Sequence, residues 1–221
     1  HAGNQKADGL HGVLIVREPI EDNKIASFYD FDLPQHLILA TDWMHEFSDN
    51  YLPGIAKRSA LTEAMLINGR GRFMNENLEY SNTPIPVFYV QSGKKFRFRL
   101  INSATNVCPY QFQIESHNFT VIATELSYVE PFVANTLNYL SGERYDIVID
   151  AILPIRDYWI RIRETYPCWK KIEVFAILRY QEDSVKKYQP NIEFTNQTVP
   201  KWEEEYAKGI VRFFLKYLFL T

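Results

Sequence analysis

Two side-chain chemistries stand out in this sequence: imidazole, at His1, His11, His36, His45 and His117, and thiol, at Cys108 and Cys168. Imidazole nitrogens bind transition metals or move protons near neutral pH. No two of these histidines have a metal-ligand spacing, so none announces a metal site by itself. A lone terminal His1 is uninformative, and His11, His36, His45 and His117 read as structural. Asp8-Gly9, taken by itself, reads as a turn, since both residues favour turns. The two cysteines lack a C-x-x-C spacing, which argues against a zinc or dithiol redox site. A disulfide between Cys108 and Cys168, closing a loop of about 60 residues, is favoured over two separately buried thiols. Asn118-Phe-Thr120 and Asn196-Gln-Thr198 are N-glycosylation triplets and, with a disulfide, favour a secreted protein. Asn68-Gly-Arg-Gly-Arg72 looks like a phosphate cradle but lacks the G-x-x-x-x-G-K-[ST] pattern; a tight turn between strands is expected.

The elements that must position these groups are strands. Tyr, Phe and Trp make up 15% of the 221 residues, against 9 Gly and 11 Pro, a balance that favours β structure. Residues 12–17, 37–40, 87–90, 95–101, 110–114, 119–122, 145–149, 158–163 and 174–180 are short and rich in β-branched and aromatic residues, with polar turns between them. In Lys95–Leu100 the alternation puts Phe96, Phe98 and Leu100 on one face and Lys95, Arg97 and Arg99 on the other. No helical period of comparable length separates Gln35 from Tyr180, so an antiparallel sandwich is expected over residues 35–182. Residues 1–34 read as a Gly-rich turn, a lone strand and a linker, a strand that needs a sheet supplied from elsewhere. Residues 183–221 read as linker and tail, with a weak helix as one option. The apolar run at 209–220 contains Arg212 and Lys216 and is too short for a bilayer, which takes about 20 residues. With 24 Lys+Arg against 27 Asp+Glu, no basic stripe exists to neutralise phosphates, and nucleic acid is not an expected partner.

The opening His1-Ala-Gly-Asn-Gln-Lys-Ala-Asp-Gly-Leu-His-Gly-Val-Leu-Ile-Val-Arg17 resembles multicopper oxidases of the laccase type, in which a His-x-His pair precedes a Gln, an Asp-Gly and a Gly-x-x-Ile-Val strand. Asp42-Trp-Met-His45, Leu66-Ile-Asn-Gly-Arg-Gly-Arg-Phe73, Lys95-Phe-Arg-Phe-Arg-Leu-Ile-Asn102, His117-Asn-Phe-Thr-Val-Ile122, Gly142-Glu-Arg-Tyr-Asp-Ile-Val-Ile149 and Tyr158-Trp-Ile-Arg-Ile-Arg163 resemble the second cupredoxin domain of that family. The contexts of Cys108 and Cys168 look most like arthropod laccases. The resemblance implies an all-β, cupredoxin-like Greek-key β-sandwich. Residues 1–34 would then be the end of a first cupredoxin domain plus linker, and residues 35–182 a second domain.

The resemblance also implies copper of types 1, 2 and 3 as cofactor, with phenolic substrates and O2 as partners. His1 matches the second His of the His-x-His pair, a type 3 copper ligand. Asp8 matches a carboxylate that assists proton delivery during oxygen reduction. The loop 102–110 lies where one wall of the phenol pocket is expected, with Asn106 and Glu125 able to hydrogen-bond a phenol hydroxyl; Glu125-Leu126 stands where the family has Asp-Gly. The His-Pro-x-His-x-His and His-Cys-His motifs of the family are missing from this sequence. The expectation is therefore a fragment, inactive alone, whose partners include the other cupredoxin domains of the same protein. A ferroxidase, an ascorbate-oxidase-like enzyme and a non-catalytic cupredoxin-like binding module are the alternatives.

Overall fold

The structure is a computed structural model that describes residues 3–51, 62–75, 77, 79–166 and 172–182. His1, Cys168, Asn196 and the tail 183–221 lie outside the described residues. A short helix, α1 (Gly3–Ala7), is followed by β1 (Phe31–Trp43), β2 (Ala64–Ile67), β3 (Val87–Gln91), β4 (Lys95–Asn102), β5 (Tyr110–Ile114), β6 (Phe119–Thr124), β7 (Ser127–Ala134), β8 (Thr136–Tyr139), β9 (Arg144–Asp150), β10 (Asp157–Glu164) and β11 (Glu173–Gln181). The strands form a six-stranded sheet in the order β2-β1-β4-β9-β6-β7 and a five-stranded sheet in the order β3-β11-β10-β5-β8. The chain passes repeatedly from one sheet to the other, as a sandwich with Greek-key connections requires.

Period-2 alternation accounts for the core. Phe96, Phe98 and Leu100 of β4 are buried while Arg97 and Arg99 lie on the outer face. Tyr158, Ile160 and Ile162 of β10 do the same opposite them. With Phe112, Tyr110, Tyr139 and Ile147 they form one continuous cluster between the sheets. Each such side chain contributes about 1.5–3 kcal/mol by leaving water, and this burial drives the two sheets together.

The ladders are mostly antiparallel, but two are parallel: β1 with β4 and β11 with β3. A purely antiparallel sandwich was the expectation. The parallel ladders arise because β3 and β4 enter their sheets only after the chain has crossed between them. Pro34 has no N–H to donate, and the β1–β4 register breaks between Asp32 and Leu37 around it. Strands β2, β7 and β8 are also additions. Strands β2 and β8 are only 4 residues each, and β7 carries Pro131 on an edge where half of the side chains are exposed, so none shows a clean alternation.

Residues 12–17, read as a strand that needs a sheet supplied from elsewhere, form no ladder with the described residues. Leu14 is 88% and Val16 84% exposed; the burial that would stabilise a strand there is lacking, and an unpaired extended segment cannot satisfy its backbone by itself. The expected Gly-rich turn before it is instead α1, closed by Gly9 at φ 98°. The segment that follows packs on the outer face of the six-stranded sheet. Ile25 joins Ile122 and Val148 in a small second cluster flanked by Tyr29. Asp32 accepts from Arg17, Arg97 and Arg99. Burial opposes ionisation of Asp32, but these guanidiniums, Arg99 foremost, outweigh it and hold its carboxyl below the ordinary value. Residues 68–71 are the expected tight turn. Asn68 and Gly69 take φ 51° and 76°, the paired left-handed conformations of a two-residue hairpin turn, and the Asn68 side chain donates to the Leu37 carbonyl and accepts from the Leu39 amide.

Candidate functional site

Asp8, Asn106 and Glu125 lie toward one end of the sandwich, where β1 and β4 finish and the loop 102–110 begins. Antiparallel pairing of β4 with β9 sets Ile101 opposite Arg144, which brings the turn at Glu125 to the same end. The loop itself is built on polar side chains. Asn102, fully buried, donates to the Tyr139 carbonyl at 3.2 Å and accepts from the Ala104 amide at 2.9 Å. The carboxylate of Asp42, at the end of β1, accepts from the Thr105 amide and hydroxyl and from the Asn106 amide at 2.8–3.1 Å. The Ala104 carbonyl accepts from Lys6 Nζ at 2.9 Å and from the Ser141 hydroxyl.

Asn106 sits inside this brace. Its Nδ2 donates to Thr62 Oγ1 at 2.8 Å and to Glu164 Oε1 at 2.7 Å, and its Oδ1 accepts from the Cys108 amide at 3.0 Å. Both amide hydrogens are thus committed, and a phenol hydroxyl can reach Asn106 only as a donor to the remaining lone pair of Oδ1. Glu125 takes φ 55°, a conformation costly for a side-chain-bearing residue, and its carboxylate pairs with Arg144. Asn106 and Glu125 share an end of the fold without touching. Between them, burial raises the pKa of Glu143, and the nearby Glu125 adds to the rise despite a bond from the Leu140 amide. Tyr110 is held protonated by burial and by the charges of Asp42 and Glu164, against the opposing pull of the Asn106 side chain.

Asp8 approaches the same end. Its carboxylate accepts from the Ser48 amide and hydroxyl, each at 2.8 Å, and so anchors the chain after β1 to α1. Asp42, Glu164 and Thr62 were not singled out by sequence reasoning. Asp42 carried a signal, an acidic residue at a strand end inside a quoted motif; Glu164 and Thr62 carried none, because their role depends on a partner far away in the chain. Removing the charge of Asp42 tests the brace: D42N is expected to cost about 2 kcal/mol and to speed amide exchange across residues 103–107. A loop equally protected in D42N would show that Asp42 does not hold it.

The four described histidines are each engaged within the fold. His36 lies fully buried between the rings of Phe96 and Phe98 with Nε2 2.8 Å from the Tyr89 carbonyl. His117 is bound by the Glu115 carbonyl at 2.6 Å and the Tyr180 hydroxyl at 2.7 Å. His45 pairs with Glu63 at 2.5 Å, and His11 lies 3.4 Å from the Lys6 carbonyl. Among the described residues no three His, Cys, Asp or Glu side chains come together around a metal-sized site. A copper donor set is therefore not assembled from the described residues alone. Cys108 is disulfide-bonded; Cys168 is the other cysteine of the sequence. Among the described residues no helix is long and apolar enough to cross a membrane.

Comparison with known proteins adds an independent line. The profile of the multicopper oxidase (Cu-oxidase) family matches residues 35–183. Laccase-1 of Fomitopsis schrenkii is 34% identical over 164 residues, covering 73% of this chain and 28% of that protein. Laccase-5 of Trametes villosa is 32% identical over 207 residues, covering 93% and 37%. Among solved structures, the laccase from Botrytis aclada superposes with a TM-score of 0.56 at 27% identity over 73% of this chain and 31% of that one. Fet3p, a multicopper oxidase that functions in iron import, gives a TM-score of 0.56 at 15% identity over 81% of this chain and 33% of that one, a likeness of fold alone. The chain thus spans about a third of the length of the curated relatives it matches.

Proposed function

The chain belongs to the multicopper oxidase family, and from that premise we propose that the whole protein is a secreted, laccase-like copper oxidase. It would couple one-electron oxidation of phenols, diphenols in particular, to the four-electron reduction of O2 to water. The observation that carries this reading is the 34% identity to a laccase over 73% of the chain. Copper, when bound, supplies the one-electron redox steps that ordinary side chains cannot perform.

Residues 35–182 act as a cupredoxin domain, joined to the end of another such domain at 1–34, with 183–221 as linker and tail. His1 serves as a ligand to type 3 copper. Asp8 positions protons for oxygen reduction; its carboxylate already holds the Ser48 hydroxyl, which gives it a donor from which a proton can be relayed. The loop 102–110 and Glu125 form one wall of the phenol pocket, and the Asp42 brace keeps that wall rigid. Cys108 pairs with Cys168, and Asn118 and Asn196 carry glycans.

The test is made on the full-length protein. Blue type 1 absorption, several coppers per chain and hydroquinone-dependent O2 uptake are expected; a copper-free protein that consumes no O2 would sink the reading, and faster oxidation of iron(II) than of hydroquinone would move it to a ferroxidase. Asp8→Asn is expected to slow reoxidation of the reduced enzyme by O2 at least tenfold while leaving reduction of the type 1 copper by hydroquinone unchanged. Equal slowing of both half-reactions would remove Asp8 from the proton path. A raised KM for hydroquinone at constant kcat in Glu125→Gln is the measure of the pocket wall.

A further inference from the structure

At the end of the six-stranded sheet opposite the loop 102–110, a surface cavity of about 330 Å³ opens beside the turn that joins β5 to β6. Phe28, Val133 and Ile152 contribute apolar wall, and they are 37%, 64% and 72% exposed, so the described residues leave this apolar surface in water. Lys95 and Asp150 stand directly opposite each other across β4 and β9 and both line the cavity. Neither side chain makes an ion pair or hydrogen bond with a described residue. The cavity therefore offers apolar wall, a free cationic donor and a free anionic acceptor within one small volume.

Asn118 lines the same cavity and is exposed. The turn that carries it is rigidly held. Its neighbours His117 and Phe119 are buried, at 5% and 2% exposure, His117 is bound at both ring nitrogens, and Ser116 before it takes φ 59°. Asn118-Phe-Thr120 is an N-glycosylation triplet. An acceptor Asn fixed at the mouth of an uncovered cavity determines which ligand reaches it at the highest effective concentration.

We propose that the cavity is a carbohydrate subsite for the protein's own glycan, seating the first N-acetylhexosamine attached to Asn118. This rests on the secretion and glycosylation of the preceding reading. A cavity of this volume lies at the small end of the range for ligand pockets, about 300–1,000 Å³, and suits one sugar residue in preference to a longer saccharide. The apolar face of the sugar ring and its acetyl methyl cover Val133, Ile152 and Phe28, while its hydroxyl and amide groups exchange hydrogen bonds with Lys95 and Asp150. Covalent attachment has already met most of the entropy cost of bringing the sugar there.

The experiment uses the full-length protein secreted from a eukaryotic host, in three forms: with its intact glycan, trimmed enzymatically to the single Asn-linked sugar, and as Asn118→Gln. Peptide mass spectrometry first reads occupancy of Asn118, and hydrogen exchange then reads residues 116–121 and 147–153. Exchange about fivefold slower in the intact and single-sugar forms than in Asn118→Gln is expected, with the difference lost in Val133→Asp, which leaves the glycan in place. An occupied Asn118 with identical exchange in all three forms overturns the subsite while leaving glycosylation standing. Protection that persists in Asn118→Gln means that another part of the protein or a second copy fills the cavity, and overturns it as well. A secreted protein unmodified at Asn118 overturns the glycosylation reading itself, and the subsite with it.

Discussion

Acidification from pH 7 to 4.5 is expected to remove roughly 2–3 kcal/mol of folding free energy through His36 alone. The imidazole is fully buried between Phe96 and Phe98. Its Nε2–H donates to the Tyr89 carbonyl, and its Nδ1 has no partner among the described residues. Protonating Nδ1 would place a new N–H and a full charge in the core with nothing to receive them. Burial therefore pushes the pKa from 6.5 down to about 4, despite the opposing pull of the Tyr89 carbonyl and of Asp32. A base whose pKa is lower in the folded state binds its proton first in the unfolded chain. The contribution of His36 is thus complete above pH 6.5 and is lost as the pH falls toward 4. His117 acts with the same sign, lowered first by burial. Asp32, whose pKa is also lowered, adds its loss only below the ordinary carboxylate value of 3.8. Urea unfolding midpoints measured across this range should fall steeply for the natural protein and less steeply for His36→Gln, which keeps a donor to Tyr89 and cannot ionise. Parallel pH profiles for the two proteins would show that His36 does not govern acid stability.

Breaking the disulfide at Cys108 should cost more. If its partner is Cys168, the closed loop of about 60 residues restricts the unfolded chain by an amount worth about 4 kcal/mol. Cys108 is buried at 7% exposure, and its amide is held by Asn106, so the bond also anchors the far end of the braced loop. Replacing both cysteines by serine is expected to lower the thermal midpoint by roughly 10 °C and to loosen residues 103–108 in hydrogen exchange. A change below about 1 kcal/mol would contradict a closed 60-residue loop.

How much of this was legible in advance depends on the range of the interaction. The alternation Lys-Phe-Arg-Phe-Arg-Leu at 95–100 is a local signal, and Phe96, Phe98 and Leu100 are at 0% exposure as it requires. The Asn68-Gly69 turn is local too, because only a few residue types tolerate two successive positive φ angles. The edge strand β7 was not legible: half of its residues are exposed, apolar Val133 among them, and Pro131 interrupts it, so its partial burial imprints no clean alternation on the sequence. Nor was the unpaired state of residues 12–17, whose composition suits a strand but whose partner strand is not among the described residues.

The site divides in the same way. The resemblance to laccase-type multicopper oxidases marked Asp8, Asn106 and Glu125 as candidates, and the structure has all three in loops and turns. Only the tertiary structure decided what their polar atoms do: Asp8 holds Ser48, Asn106 bridges Thr62 and Glu164, and Glu125 pairs with Arg144. Period-2 alternation specifies which face of a strand is buried, but it carries no information about which strand lies alongside or which carboxylate a loop amide will meet. Those choices come from packing two sheets together, which sets Asp42 against Thr105, 63 residues away in the chain, and so turns an unremarkable loop into a rigid one.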